Sequence, residues 1–309
     1  MAKERVMSVT FTITGKKKLF GDADVLTIGE ALKLSGQELE QYSFDAEKIE
    51  DFYQAGLDQP ECLLVGVEGE SMRGFELSCE EDSNQYHIRV FTPSTIEDWQ
   101  IAIAYMQALA RHFHSDIVSE HGESFTVDTI IDYPYIADIE YGIKAMQGHD
   151  SYQIFGLYRP VSFDQEMLQE LADAEFPAVT FGEMTTFIQY LNAYSARQKF
   201  YSRQDEDGSE IIIGSYTLTE DVDTILPYQP FVEYENSEQI GEREINDWRL
   251  SLVGINGDPD DPEAYYVIGH ISYQEFIERL PEHKYDFIDG AYILVEACSK
   301  KELELLLDE

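Results

Sequence analysis

The chain has 309 residues, 43% of them hydrophobic and 13% aromatic, with 20 Tyr and 17 Phe. Sixty-one Asp and Glu stand against 21 Lys and Arg, a formal net charge of −40. Acidic disordered chains are poor in aromatics, so the composition predicts a folded core under an acidic surface, one that repels DNA, RNA and anionic lipid.

Ser8 to Thr14, alternating and β-branched, is the first predicted strand. Lys16-Lys17-Lys18 follows as a solvated basic turn. Thr27-x-x-Glu30 opens a short helix running to Leu34 and stopped near Gly36, and Asp45 caps a second carrying Ile49 and Phe52. Strands follow at Cys62–Val67, Phe75–Cys79 and Tyr86–Phe91.

After Pro93, Ser94 and Glu97 make a capping box. Trp99, Ala102, Ile103, Met106, Leu109 and Phe113 then recur at three- and four-residue steps, which predicts a long helix with one core face. Next come a helix near Ile136–Met146, a strand at Tyr152–Tyr158, and helices opened by Ser162-x-x-Gln165 and around Thr180-x-x-Glu183. A hairpin at Lys199–Thr217 turns on Asp207-Gly208. Strands at Trp248–Ile255, Ala264–Ile271 and Ala291–Ala297 close the chain, with short helices opened by Ser272-x-x-Glu275 and Ser299-x-x-Glu302.

These elements describe an α+β protein of mainly antiparallel sheets with helices packed on one face. Net charge is +4 over residues 1–20, −21 over 21–150, −3 over 151–200 and −20 over 201–309. Leu64-Val-Gly-Val-Glu-Gly69 also parallels Leu252-Val-Gly-Ile-Asn-Gly257. Both patterns point to two similar lobes, 1–150 and 151–309.

Cys62, Cys79 and Cys298 are too few for a disulfide framework, and Cys62 and Cys298 adjoin apolar runs. The first residues lack the apolar segment of a signal peptide, and no stretch approaches the roughly 18 apolar residues of a membrane span. The expected location is the cytoplasm.

Gly69-Glu-Ser71-Met-Arg-Gly74 resembles a nucleophile elbow, but its spacing is one residue too long and a strand follows it, so a hairpin turn is the better reading. His112, His114, Asp116 and His121 form the one histidine cluster. Metal binding needs three such groups on one point, and on a helix His112 and His114 diverge by about 200°. Asp258, Asp260, Asp261 and Glu263 crowd one loop with Asn256, in a spacing like the start of a calcium loop. The glycine such a loop needs at its sixth position is Asp261 here, the glutamate at its twelfth is Val267, and Pro259 and Pro262 favour a stiff turn. Asp205 to Glu210 is a second acidic tip, explained by its hairpin. No glycine-rich phosphate loop is present, so neither a catalytic residue nor a cofactor is assigned.

Three stretches carry a family resemblance: Val25-Leu-Thr-Ile-Gly-Glu-Ala-Leu-Lys-Leu-Ser35, Leu64-Val-Gly-Val-Glu-Gly-Glu-Ser-Met-Arg-Gly-Phe-Glu-Leu-Ser78, and Tyr86-His-Ile-Arg-Val-Phe-Thr-Pro-Ser-Thr-Ile-Glu-Asp-Trp99. In these the chain resembles an uncharacterised domain-of-unknown-function family of acidic proteins, about 300 residues long, from low-GC Gram-positive bacteria. The likeness begins at Met7 and spans nearly the whole chain. It implies a bacterial cytoplasmic protein and brings no activity or functional residue with it.

One-signed charge on a foldable scaffold, with no assignable chemistry, points first to a binding or regulatory protein for a basic protein partner, of immunity, antitoxin-like or nucleic-acid-mimic type. The alternative is a metal- or carboxylate-dependent hydrolase. Self-assembly is opposed by the charge, and no feature specifies an oligomeric state.

Overall fold

A computed structural model describes residues 8–15, 25–45, 51–204, 208 and 210–308. The Lys16–Lys18 run, Ile49, Asp207 and most of the acidic tip at 205–210 lie outside the described residues. The chain divides into two compact units, one of Met1–Val161 with Gln165–Tyr190, the other of Ser162–Asp164 with Leu191–Glu309. Its fold is α+β, with largely antiparallel sheets.

In the first unit, β1 (Ser8–Thr14) is followed by α1 (Ile28–Lys33), β2 (Leu39–Gln41), β3 (Leu63–Val67), β4 (Phe75–Glu80) and β5 (Gln85–Phe91). Then come α2 (Ile96–Phe113), β6 (Ile117–Ser119), β7 (Ser124–Phe125), α3 (Tyr135–Met146) and β8 (Tyr152–Phe155). β9 (Pro160–Phe163) pairs with β8 and carries the chain across the unit division, and α4 (Gln165–Asp173) and α5 (Pro177–Gln189) complete the unit. The main sheet has seven strands in the order β2-β3-β4-β5-β1-β6-β7, and every neighbouring pair is antiparallel.

Alternation sends Phe11, Phe75, Leu77, Ile88 and Val90 to a buried face. Helix α2 covers that face, with Trp99 edge-on to Phe11 at 6.2 Å and Tyr105 against Phe75 at 5.3 Å. The opposite face is polar. There Thr12 and His87 meet across strands at 3.1 Å, and Arg89 pairs with Glu76 at 2.7 Å. α2 also buries Ile101, Tyr105 and Ala110, outside the expected stripe: Tyr105 reaches Phe75 of β4, and α3 and α5 pack on the helix as well.

Several helix starts differ from the expectation. The α2 cap is Thr95 with Asp98, one residue on from Ser94 and Glu97, because Asp98 is fully buried and gathers further donors that Glu97 does not meet. Ser162 lies in β9, and α4 begins at Gln165. α5 starts at Pro177, three residues before Thr180, whose hydroxyl instead donates to the Phe176 carbonyl. Phe52 sits in a 3₁₀ turn, Phe52–Gln54.

The second unit holds β10 (Tyr194–Ser195), β11 (Lys199–Gln204), β12 (Glu210–Thr219), β13 (Thr224–Pro227), α6 (Tyr234–Ile240) and β14 (Asp247–Ile255). It ends with β15 (Tyr265–Ser272), α7 (Tyr273–Arg279), β16 (Tyr285–Phe287), β17 (Tyr292–Val295) and α8 (Lys300–Leu307). Two four-stranded sheets form, β10-β13-β17-β16 and β11-β12-β14-β15. β10–β13 and β12–β14 are parallel, and the remaining pairs are antiparallel. Tyr216, Leu218, Leu250, Leu252, Ile293 and Val295 share one core with residues of α7 and α8.

The repeated Leu-Val-Gly stretches occupy β3 and β14. β3 lies between two antiparallel neighbours, whereas β14 has parallel β12 on one side and antiparallel β15 on the other. The central glycine is needed in both: a Cβ on Gly66 would stand 2.9 Å from Ser71 and Leu157, and one on Gly254 would stand 2.6 Å from the Tyr266 ring.

Candidate functional site

The Gly69–Gly74 loop joins β3 to β4 as a turn. Ser71 is fully buried, with its hydroxyl accepting from the Val67 amide at 3.1 Å and its carbonyl accepting from the Tyr190 hydroxyl at 2.5 Å. The amides of Arg73 and Gly74 donate to the buried Asp98 carboxyl at 3.0 and 2.9 Å. Arg73 donates to the carbonyls of Phe155 and Pro93 and lies over the Phe91 ring, and burial pulls its pKa down to about 10. Arg73 and Gly74 thus tie the loop to α2 and β8, while Ser71 ties it to Val67 and Tyr190.

His112, His114, Asp116 and His121 are all exposed. His114 ends α2 in the left-handed conformation, φ 54°. With Asp116, Arg111 and Asp128 it lines an open groove of about 360 Å³ at that helix end. His112 lies outside this groove against Phe113, and His121 pairs with Glu120 at 3.8 Å. In the other cluster, Asp258 accepts from the Asp260 amide at 3.0 Å and Asp261 from the Glu263 amide at 2.9 Å, capping the 3₁₀ turn Pro262–Ala264. The Tyr265 hydroxyl closes the turn onto the Pro259 carbonyl at 2.9 Å. Among the described residues, no three His, Cys, Asp or Glu side chains converge so as to hold a metal ion.

Carboxylates dominate both units. The first carries 33 acids against 12 bases, net −21, and the second 28 against nine, net −19. Were every Lys and Arg paired one to one, 40 carboxylates would remain without a basic partner. The described pairs are exposed or partly buried contacts, such as Arg249–Asp247 at 2.6 Å and Lys284–Glu302 at 2.9 Å. Bridges of that kind leave the field of the surrounding acids largely intact.

One carboxyl stands apart, and its surroundings build a site inside the second unit. Gln198, in the segment between β10 and β11, accepts from the amide of Glu233 and from the Asn236 side chain, each at 3.1 Å. Its own side-chain nitrogen donates to the Tyr216 hydroxyl and the Phe231 carbonyl. This arrangement fixes Glu233 at the start of α6 between β12 and β17. The hydroxyls of Tyr216 and Tyr292 both donate to Glu233 Oε1, each at 3.4 Å. Trp248 stacks on Tyr216 with ring centroids 5.8 Å apart, and Phe231 meets Tyr292 edge-on at 6.0 Å.

Burial in this aromatic setting, reinforced by the charge of Glu235, raises the Glu233 pKa to about 7, against the pull of the two tyrosine hydroxyls. Asp289, the other described carboxyl that burial raises, accepts from the amides of Ser162, Ala291 and Tyr292 and serves as a structural staple. Among the described residues, Glu233 alone combines a near-neutral pKa with partial exposure. Sequence reading misses it because Gln198, Tyr216, Glu233 and Tyr292 lie far apart along the chain with no shared spacing. The abundance of tyrosine was the only signal present.

A family model described as Domain of unknown function (DUF4299) matches residues 8–306. No curated protein and no solved structure matches the chain.

Proposed function

We propose that the chain, which belongs to the DUF4299 family, is a non-enzymatic binding or regulatory protein whose acidic units engage a basic protein partner. The observation that carries this reading is the pair of folded units at −21 and −19, whose carboxylates outnumber every cation available to them. Such a surface accelerates encounter with a cationic protein and repels phosphate backbones. An immunity, antitoxin-like or nucleic-acid-mimic role has this physical form. A bacterial cytoplasmic setting fits the three free thiols, Cys62, Cys79 and Cys298.

The test is capture from lysate on immobilised protein, beside an unrelated folded protein of equal net charge, with elution between about 20 and 500 mM salt. The expected result is a basic protein retained by this chain alone and released as salt rises. Identical captured sets on the two columns would refute the reading. A second reading, a carboxylate-dependent hydrolase, draws on Glu233, whose pKa of about 7 suits proton transfer.

A further inference from the structure

We propose that Glu233 is the docking point for a lysine ammonium of the basic partner, received by the carboxyl oxygen that the protein leaves without a donor. The inference rests on the binding role proposed above and names the group recognised.

The geometry is that of an incomplete ion site. Glu233 Oε1 takes two tyrosine hydroxyls, while Oε2 accepts no hydrogen bond from any described residue. No Lys, Arg or His among the described residues forms an ion pair with this half-buried carboxyl. The groups that face it are Tyr216 of β12, Tyr292 of β17, Tyr273 of α7 and Glu235 of α6, and none of them is a cation. A carboxylate held in an aromatic setting without a counter-charge is poorly stabilised, and a cation brought to it restores what desolvation removes.

Gln198, Tyr216 and Tyr292 fix the acceptor beforehand, so little ordering is needed on binding. An ammonium carries three donors that can turn toward one oxygen, which fits a site offering a single free acceptor. Because the free protein holds this carboxyl partly protonated near neutrality, docking expels a proton to solvent while the ammonium keeps its own.

The probe is octalysine, titrated calorimetrically at pH 6.5 in two buffers of different ionisation heat. Wild type is expected to release a substantial fraction of a proton on binding. Glu233→Gln, with its fold checked by Trp248 emission, is expected to bind about tenfold more weakly and to lack that part of the release. Glu235→Gln keeps the docking carboxyl and is expected to retain most of both.

Equal affinity and equal proton release in wild type and Glu233→Gln would overturn the docking point while leaving the basic-partner reading intact. No binding to either protein at low salt would overturn both.

Discussion

Replacing Asp98 with alanine perturbs the first unit at its most interconnected polar side chain. The carboxyl accepts from the Arg73 amide at 3.0 Å, the Gly74 amide at 2.9 Å, the Ser94 hydroxyl at 2.9 Å and the Thr95 amide at 3.3 Å. Truncation leaves these donors without acceptors in a region where Asp98 itself has no accessible surface. A buried donor left unsatisfied costs about 1–3 kcal/mol. The two loop amides and the lost half of the capping box together give an expected loss of about 3–5 kcal/mol. Asp98→Asn keeps the volume but turns one acceptor oxygen into a donor, and about 1–3 kcal/mol is expected.

The two tryptophans separate the units, since Trp99 lies in the first and Trp248 in the second. Urea unfolding followed by Trp99 emission in a Trp248→Phe background therefore reads the first unit alone. A fall of the Trp99 midpoint worth less than about 1 kcal/mol in Asp98→Ala would refute the reasoning. So would Asp98→Asn proving as damaging as Asp98→Ala.

Further outcomes concern the second unit and the thiols. The folded-state pKa of Glu233, about 7, lies above the 4.5 of an unperturbed glutamate, so its contribution to stability is full below about pH 4.5 and is lost as pH rises through 7. After discounting for partial exposure this amounts to roughly 2 kcal/mol, and the Trp248 urea midpoint of Glu233→Gln is expected to fall less steeply than wild type across that window. Ser299 accepts from the Glu302 amide at 3.4 Å and caps α8, whose Leu303 and Leu306 lie in the core; Ser299→Ala is expected to lower the same midpoint by about 1 kcal/mol, and Ser299→Gly by less. Burial pushes the Cys79 thiol up to about 11 and raises Cys62 and Cys298 as well, so alkylation by iodoacetamide at pH 7.5 is expected to be slow in native protein and fast in urea. Prompt modification of Cys79 in native protein would contradict that burial.

The elements legible in the sequence are those whose signal is local. β1 and β5 alternate cleanly, and Thr27, Ser272 and Ser299 cap their helices as their spacing indicates. Short elements held mainly by tertiary contacts were not legible. β10 and β13 pair in parallel through two residues, and β16 is a three-residue edge. Neither length produces a readable period. The α2 start shows the limit of local pattern: Ser94-x-x-Glu97 and Thr95-x-x-Asp98 are equally good boxes on paper. What chooses between them is the Gly69–Gly74 loop, which brings two amides to Asp98 from about 25 residues away in the chain.

The same distinction separates the acidity from the site. Net charge is a sum, so it can be counted in sequence and assigned to units once the boundaries are known. A binding point depends on which carboxyl is denied its neutralising partner, and that is a property of packing. Among 61 acids, Glu233 differs from its neighbours Glu235 and Glu238 by the aromatic walls of Tyr216 and Tyr292 and by the grip of Gln198 on its amide. On the reading proposed above, the diffuse field of the acids speeds encounter with a basic protein but has no means of fixing register. On the docking proposed for Glu233, one preorganised carboxyl oxygen that takes no hydrogen bond from a described residue would supply that register, so surface acids and Glu233 should separate experimentally. Neutralising several exposed acids should change mainly the salt dependence and the on-rate, whereas Glu233→Gln should change the off-rate.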